Sequence, residues 1–330
     1  MKDFIPRISI VMPCYNEEKF IGKAIESLVD DYFRKNCELI IVDGMSNDST
    51  SKVVQSFIKQ GVRLRLLKNK KKVQPYGLNL AISEAKGEII VRADAHCLYP
   101  PGYVKKCVKL LETTKASNVG GMMLPQGKTI VQKAIALAMQ HPVGVGDSKF
   151  HLGNFSGYTD TVYLGTFRKK LFDEIGLYDT NKTNEDAELN LRILKAGKKI
   201  YLDSSIKVIY FPRESLKKLG LQYFLYGRAR YYTTLKHKKI TSLRQIGPVI
   251  LVISLFLSTL LSLWQSLFLL FPFSYFLALT LTSLFSWPKR SIPFKQRVLM
   301  AISFFIMHIS WGVGFLSGLR FKKSKSLISS

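Results

Sequence analysis

Between positions 247 and 287 the chain carries no charged side chain, a run of 41 residues, and 298–319 adds 22 more in which His308 is the one titratable group. A helix needs about 20 apolar residues to cross the hydrocarbon core of a bilayer. The first run is long enough for two such helices and the second for one, so helices are expected at about 247–264, 267–287 and 298–319. A core helix of a soluble protein has no use for that length. The stretch 246–320 therefore belongs to a membrane, followed by a basic tail at 321–330. Residues 1–212 are left to build a domain with its own core.

The charge balance agrees with a membrane setting. Lys and Arg number 49 against 23 Asp and Glu, a formal +26, which suits nucleic acid, anionic headgroups or phosphorylated substrates. In the segment 213–245, Tyr223, Phe224, Tyr226, Tyr231 and Tyr232 interleave with Arg228, Arg230, Lys236, Lys238 and Lys239. On a helix this pattern describes an amphipathic element lying along a membrane surface. Membrane lipids thus account for the charge, and with no nucleic-acid-binding motif in the chain, nucleic acid is not an expected partner. Crossing number decides where the other cations lie. Three crossings put Lys289, Arg290, Lys295 and Arg297 inside and Arg320, Lys322, Lys323 and Lys325 outside, against the positive-inside tendency; two crossings do the reverse. Three are expected here. The four cysteines, Cys14, Cys37, Cys97 and Cys107, have no metal-finger spacing and are expected to be reduced and buried, as in a cytoplasmic domain. The apolar run at 8–12 stops at Pro13 and is too short for a signal peptide.

Within the N-terminal part, strands and helices alternate. Residues 8–12, 38–42 and 89–91 are apolar runs without alternation, as in strands buried on both faces. Helical stripes follow the first two, through Ile21, Ala24, Ile25 and Leu28, then Val53, Val54, Phe57 and Ile58. A half-solvated strand at 62–66, a basic run at 68–72 and a helix at 78–85 lead to the third. Such alternation predicts a mostly parallel sheet with right-handed crossovers. Glu17, Asp43 and Asp94 then fall at the carboxyl ends of three strands, where open sheets bind ligands. Further on come a helix at 103–114, a strand at 119–124 and a glycine-rich loop or lid at 144–157. A strand at 162–168 and a helix at 169–175 follow. A loop then delivers Glu185 and Asp186 to the start of another helix, closed by Gly197, with short strands at 200–202 and 206–210 beyond it.

Four ordered motifs carry a resemblance. They are Ser9-Ile10-Val11-Met12-Pro13-Cys14-Tyr15-Asn16-Glu17-Glu18, Ile41-Val42-Asp43-Gly44-Met45-Ser46-Asn47-Asp48-Ser49-Thr50, Arg92-Ala93-Asp94-Ala95-His96 and Asn184-Glu185-Asp186. Over roughly 5–235 the chain resembles family 2 glycosyltransferases of the GT-A fold, an α/β class with a Rossmann-like, nucleotide-sugar-binding mixed sheet, here followed by C-terminal transmembrane helices. Asp94-Ala95-His96 and the stretch 160–168 look most like the bacterial succinoglycan-type exopolysaccharide members.

The resemblance implies a set of roles. Pro13, Tyr15, Glu17, Asp43, Arg92, Ala93 and Asp94 would bind the nucleotide-sugar, a UDP-sugar, with Glu17 and Asp43 accepting hydrogen bonds from uracil and ribose. Asp94 would hold Mg²⁺ or Mn²⁺ on the diphosphate. The family's metal motif is usually Asp-x-Asp, and Arg92 replaces the first acid. Arg92 then contacts phosphate or sugar, and His96 either completes the metal shell or is a structural hydrogen-bonded residue. Asp186 would be the general base of an inverting displacement, supported by Glu185. Arg228 and Arg230 loosely resemble the Gln-x-x-Arg-Trp element of processive members, as a diphosphate clamp or as a lipid-facing stripe. The expected enzyme is a multi-pass protein of the cytoplasmic membrane with its catalytic domain inside. It acts on a lipid-linked (polyprenyl diphosphate) saccharide in exopolysaccharide assembly. The alternatives are a polyprenyl-phosphate sugar synthase of the same fold and a non-enzymatic basic membrane- or nucleic-acid-binding protein.

Overall fold

The computed structural model describes residues 5–180, 184–238, 243–287 and 291–326. The chain divides into two units, Met1–Leu124 with Lys149–Tyr210, and Pro125–Ser148 with Phe211–Ser330. The segment 125–148, expected inside a domain covering 1–212, thus groups with the C-terminal part.

In the first unit β1 (Ile8–Cys14), α1 (Ile21–Leu28), α2 (Asp31–Asn36) and β2 (Cys37–Asp43) are followed by α3 (Thr50–Lys59), β3 (Leu64–Lys68), α4 (Gln74–Glu84) and β4 (Ile89–Arg92). β2 is buried from end to end, Glu38 included, because its carboxylate is fully engaged. It accepts from Ser9 Oγ at 2.6 Å, Lys86 N at 2.8 Å and Arg65 Nη2 at 2.9 Å, which offsets the cost of burying the charge. Gly87 lets the chain enter β4 against β1: a Cβ there would lie 2.6 Å from Ser9 N. The strand order β3-β2-β1-β4 is parallel throughout. The chain reverses direction across the sheet between β1 and β4, and that switch point opens a crevice at the strand carboxyl ends.

Past β4 the pattern changes. β5 (Cys97–Leu98), α5 (Tyr103–Thr113) and β6 (Asn118–Pro125) come next; α6 (Ile130–Ala138) and α7 (Pro142–Val145) belong to the second unit. α8 (Lys149–Leu152), β7 (Gly157–Thr159), β8 (Tyr163–Arg168), α9 (Leu171–Ile175), α10 (Glu185–Lys195) and β9 (Ile200–Tyr210) complete the first. β8 pairs with β4 and β6, and β9 with β5 and β7, all antiparallel. The sheet is therefore mixed, and the mostly parallel pattern read from strand–helix alternation stops at β4. The loop expected at 144–157 takes in the end of the short α7 and all of α8. The two short strands expected at 200–202 and 206–210 are one continuous strand. Asp203 Oδ1 accepts from Ser205 N at 2.7 Å, and Ser204 N donates to Ser156 Oγ at 2.9 Å, so the polar gap is satisfied without a turn. Val11, Ile40, Ile90, Leu78, Phe167 and Leu189 meet in one core between sheet and helices, and this core fixes the position of α10 behind the crevice.

The second unit holds α11 (Leu216–His237), α12 (Gly247–Leu261), α13 (Leu270–Phe285, entered through a 3-10 turn at Ser266–Leu269) and α14 (Phe294–Ser326). Helices thus occur where three were expected in 246–320. α12, at 15 residues, reaches about 22 Å, short of a ~30 Å hydrocarbon core. Among the described residues two helical stretches, Ser266–Phe285 and Phe294–Leu319, are long and apolar enough to cross a membrane. α14 continues as helix into the expected basic tail, to Ser326; 327–330 lie outside the described residues, as do Lys239, Lys289 and Arg290.

α11, expected along a membrane surface, packs along α14. A Cβ on Gly227 would lie 2.0 Å from Trp311 O, and one on Gly314 2.1 Å from Phe224 O; Gly318 meets Tyr231, and Gly220 faces Ile306 and Ser310. Small residues at such a seam let helix backbones approach closely. α13 is tied to α14 by Tyr275 OH and His308 Nδ1, 3.0 Å apart, and by Arg297 Nη1, which donates to the carbonyls of Ser283, Leu284 and Ser286 at the end of α13.

Candidate active site

Two loops after β1 and β2 knit together at the crevice. Asn16, in the left-handed region at φ 54°, donates its N–H to Ser46 Oγ at 2.8 Å and accepts from Asn47 N at 3.0 Å. Glu17 N donates to Thr50 Oγ1, and Glu18 Oε2 accepts from Ser49 N. Asp43 is buried at the end of β2. It accepts from Ser46 N, Ser46 Oγ and Ser51 Oγ, so three of roughly four acceptor positions on the carboxylate serve its own loop. Tyr15 is exposed, Pro13 half-buried and Ala93 buried.

The end of β4 is the centre of the site. The Tyr99 hydroxyl accepts from Asp94 N at 2.7 Å and donates to Asp94 O at 2.9 Å, fixing the backbone that carries this carboxylate. Sequence reasoning missed Tyr99, which nothing but its distance of five positions from Asp94 could have suggested. His96 Nδ1 lies 3.0 Å from Glu17 Oε1, and its ring stands edge-on to Tyr210 at 5.4 Å. The imidazole is thereby engaged with the neighbouring loop's carboxylate.

Arg92, the last residue of β4, is buried, and its guanidinium meets three carboxylates. Nη2 is 3.0 Å from Glu185 Oε1, Nε is 3.5 Å from Asp94 Oδ1, and Nη1 pairs with Asp186 Oδ1. The two α10 carboxylates arrive because Asn184 takes a left-handed conformation, φ 65°, and turns the chain into the helix. Both then stand in the first helical turn, where the macrodipole favours negative charge. Behind them Tyr178 lies with its ring 5.8 Å from the Arg92 guanidinium carbon. Asn79 fixes Tyr178 on both sides, donating to its carbonyl at 2.9 Å and accepting from its N–H at 3.0 Å. Tyr178 too was missed, for want of any local signal.

The electrostatics follow from this packing. Burial works against the charge on Arg92, but Asp186, Asp94 and Glu185 more than reverse it and hold the guanidinium well above its ordinary range. Burial among protein groups pushes the Asp186 carboxyl up to about 7; Arg92 opposes the rise, while Glu185 and Asp94 add to it. About two fifths of the Asp186 side chain, 40%, is open to water, so screening limits that rise. All four cysteines are free and buried, and burial raises each thiol, as expected for reduced residues of the core.

The charged site residues of the first unit thus fall into three groups. Arg92, Asp94, Glu185 and Asp186 are brought together, Glu17 pairs with His96, and Asp43 organises its loop. Arg228 and Arg230 belong to the second unit, on α11, with the Arg228 guanidinium 5.7 Å from the Phe224 ring. Among the described residues no cluster of three or more His, Cys, Asp or Glu side chains could enclose an ion. A single strand-end carboxylate, Asp94, still fits Mg²⁺ or a similar ion, which is commonly bound through one or two carboxylates with substrate phosphates and water as its other ligands.

Known proteins share these features. A model of glycosyl transferase family 2 matches residues 9–176. The succinoglycan biosynthesis protein ExoA of Rhizobium meliloti is 32% identical over 311 residues, covering 93% of each chain. A Methanococcus voltae dolichyl N-acetyl-α-D-glucosaminyl phosphate 3-β-D-2,3-diacetamido-2,3-dideoxy-β-D-glucuronosyltransferase is 28% identical, covering 94% of this chain and 97% of its own. In fold the chain is similar to the mannosyltransferase PcManGT of Pyrobaculum calidifontis, solved with GDP-Man and Mn²⁺. That likeness has a TM-score of 0.60 at 17% identity and covers 96% of this chain and 88% of that one. The mixed sheet is the GT-A fold expected from the motifs. With its ordered motifs, the matching family model and a relative alike over nearly its whole length, the chain belongs to glycosyl transferase family 2.

Proposed function

We propose that the chain is an inverting glycosyltransferase that moves a sugar from a nucleotide-sugar, a UDP-sugar, to a lipid-linked saccharide during assembly of a cell-surface polysaccharide. One observation carries the reading. Asp94 at the end of β4 and Asp186 at the start of α10 face one arginine within the same cleft. One carboxylate is thus available to the donor's diphosphate and another to the acceptor's hydroxyl. The acceptor oxygen attacks the anomeric carbon, the bond to the nucleoside diphosphate breaks, and the hydroxyl proton passes to Asp186. Glu185 helps keep Asp186 in place by sharing Arg92. A divalent ion, Mg²⁺ or Mn²⁺, would be held by Asp94 and would supply positive charge to the departing diphosphate. Glu17 and Asp43 border the nucleoside end.

Both named relatives support a saccharide product, and the second a lipid-phosphate acceptor. Two apolar stretches long enough to cross a bilayer support placement in a membrane, here taken as the cytoplasmic membrane, and the free, buried cysteines suit a first unit on its cytoplasmic side. The test is a panel of nucleotide-sugars offered to the purified full-length protein with a polyprenyl diphosphate saccharide. The expected result is a glycosidic product with one UDP-sugar, stimulated by Mn²⁺ or Mg²⁺ and lost in Asp94→Ala. A metal-stimulated, fully active Asp94→Ala protein would overturn the metal assignment, and an acid-labile sugar phosphate as sole product would overturn the acceptor.

A further inference from the structure

We propose that Arg92 is a positioning residue, an internal counter-ion that ties the first turn of α10, and with it the Asp186 carboxylate, to the end of β4 where Asp94 stands. The inference deepens the reading above and rests on the base role given there to Asp186. It departs from the simpler expectation that an arginine at this point binds phosphate.

The geometry separates the two roles. A guanidinium is a rigid planar fork, and bidentate capture of a phosphate needs two of its nitrogens turned toward the ligand. Here Nη1 and Nη2 are both committed to α10, to Asp186 and Glu185, and Nε faces Asp94. The Arg92 side chain is 4% exposed, whereas Asp186 is ten times more open. The cation is closed in and the carboxylate it holds looks out. Tyr178, fixed twice by Asn79, stands against the guanidinium and limits its rotation. A diphosphate would have to displace a buried carboxylate to reach Arg92. An acceptor hydroxyl meets Asp186 without disturbing the pair behind it. The arginine reaches from beside Asp94 to Asp186, 94 positions beyond Arg92 in sequence, so it sets the distance between the donor-side carboxylate and the base.

The test is a kinetic double-mutant cycle on the full-length protein, with Arg92→Gln, Arg92→Lys, Asp186→Asn and both Arg92 variants in the Asp186→Asn background. Transfer is measured as kcat and KM, and UDP affinity by calorimetry with and without Mn²⁺. Arg92→Gln is expected to lower kcat by about 100-fold with UDP affinity kept within about threefold. In the Asp186→Asn background the same change is expected to cost under about threefold, because the two residues act as one unit. Arg92→Lys keeps a charge beside α10 and should recover at least about tenfold over Arg92→Gln. If Arg92→Gln does not fold, the lysine variant carries the same comparison.

A drop of tenfold or more in UDP affinity would make Arg92 a phosphate ligand and overturn the proposal. So would an undiminished loss in the Asp186→Asn background, which marks a role independent of the base. The Asp186→Asn arm also separates this inference from the reading it rests on. If that variant transfers normally, the base assignment falls and the positioning role with it. If it fails while Arg92→Gln transfers normally, the positioning role alone falls.

Discussion

Asp186 is recessed enough for its proton affinity to rise and open enough for a hydroxyl to reach it. A base works only when ionised, so a raised carboxyl moves the rising limb of the rate profile upward. Transfer should climb with pH toward about 7 and level off above it. Asp186→Asn should lower kcat by about 10²–10⁴-fold and remove that limb, since general-base catalysis contributes on this scale. UDP affinity should stay within about twofold; a parallel loss of UDP binding would instead make Asp186 a donor contact. Much of this was legible in the residues. Acidic side chains at three strand ends have few reasons to converge except a ligand, and Glu185-Asp186 stands where a helix begins. The α10 partners of Arg92 were not legible, because they come from an element some ninety residues away and no local pattern announces that contact. The contact of His96 with Glu17, 79 positions earlier, was not legible for the same reason.

Among elements, β1, β2 and β4 were readable because unbroken apolar runs between helical stripes admit few structures other than buried parallel strands. The antiparallel half was harder. Its strands are short or interrupted by polar residues, as at Ser204 and Ser205, and their pairing is set by the sheet they join rather than by their own pattern. The α11–α14 seam was overlooked for a related reason. Glycines at 220 and 227 sit among conspicuous aromatic and basic residues that draw the reading toward lipid, while Gly314 and Gly318 lie in an apolar run that any membrane helix could show. The seam makes a direct prediction. Gly227→Ala and Gly314→Ala each place a Cβ within about 2 Å of the facing backbone, so the helices must part. Each should destabilise the second unit by about 1–3 kcal/mol, the usual range for overpacking. Thermal unfolding in detergent should fall by several degrees, with Gly247→Ala, where a Cβ meets open space, as the unchanged control.

For the whole molecule, the striped N-terminal sequence and the uncharged C-terminal runs pointed to a sheet domain and to long apolar helices, and both are present. The return of 125–148 to the second unit was not visible, since α6 looks like any other amphipathic helix until its neighbours are known. The glycine seam also fixes the itinerary of the chain. Along it Gly220 meets Ile306 and Ser310, Phe224 meets Gly314, and Tyr231 meets Gly318, so positions rise together on both helices. A path that travels the same way twice, side by side, must travel back once between. α13 makes that return, because Tyr275 lies beside His308 while Ser283 and Ser286 lie beside Arg297. The round trip leaves the last turn of α11 and the last turns of α14 at one end. A small tag inserted after Lys238 and another at the C-terminus should be labelled from the same side of sealed vesicles.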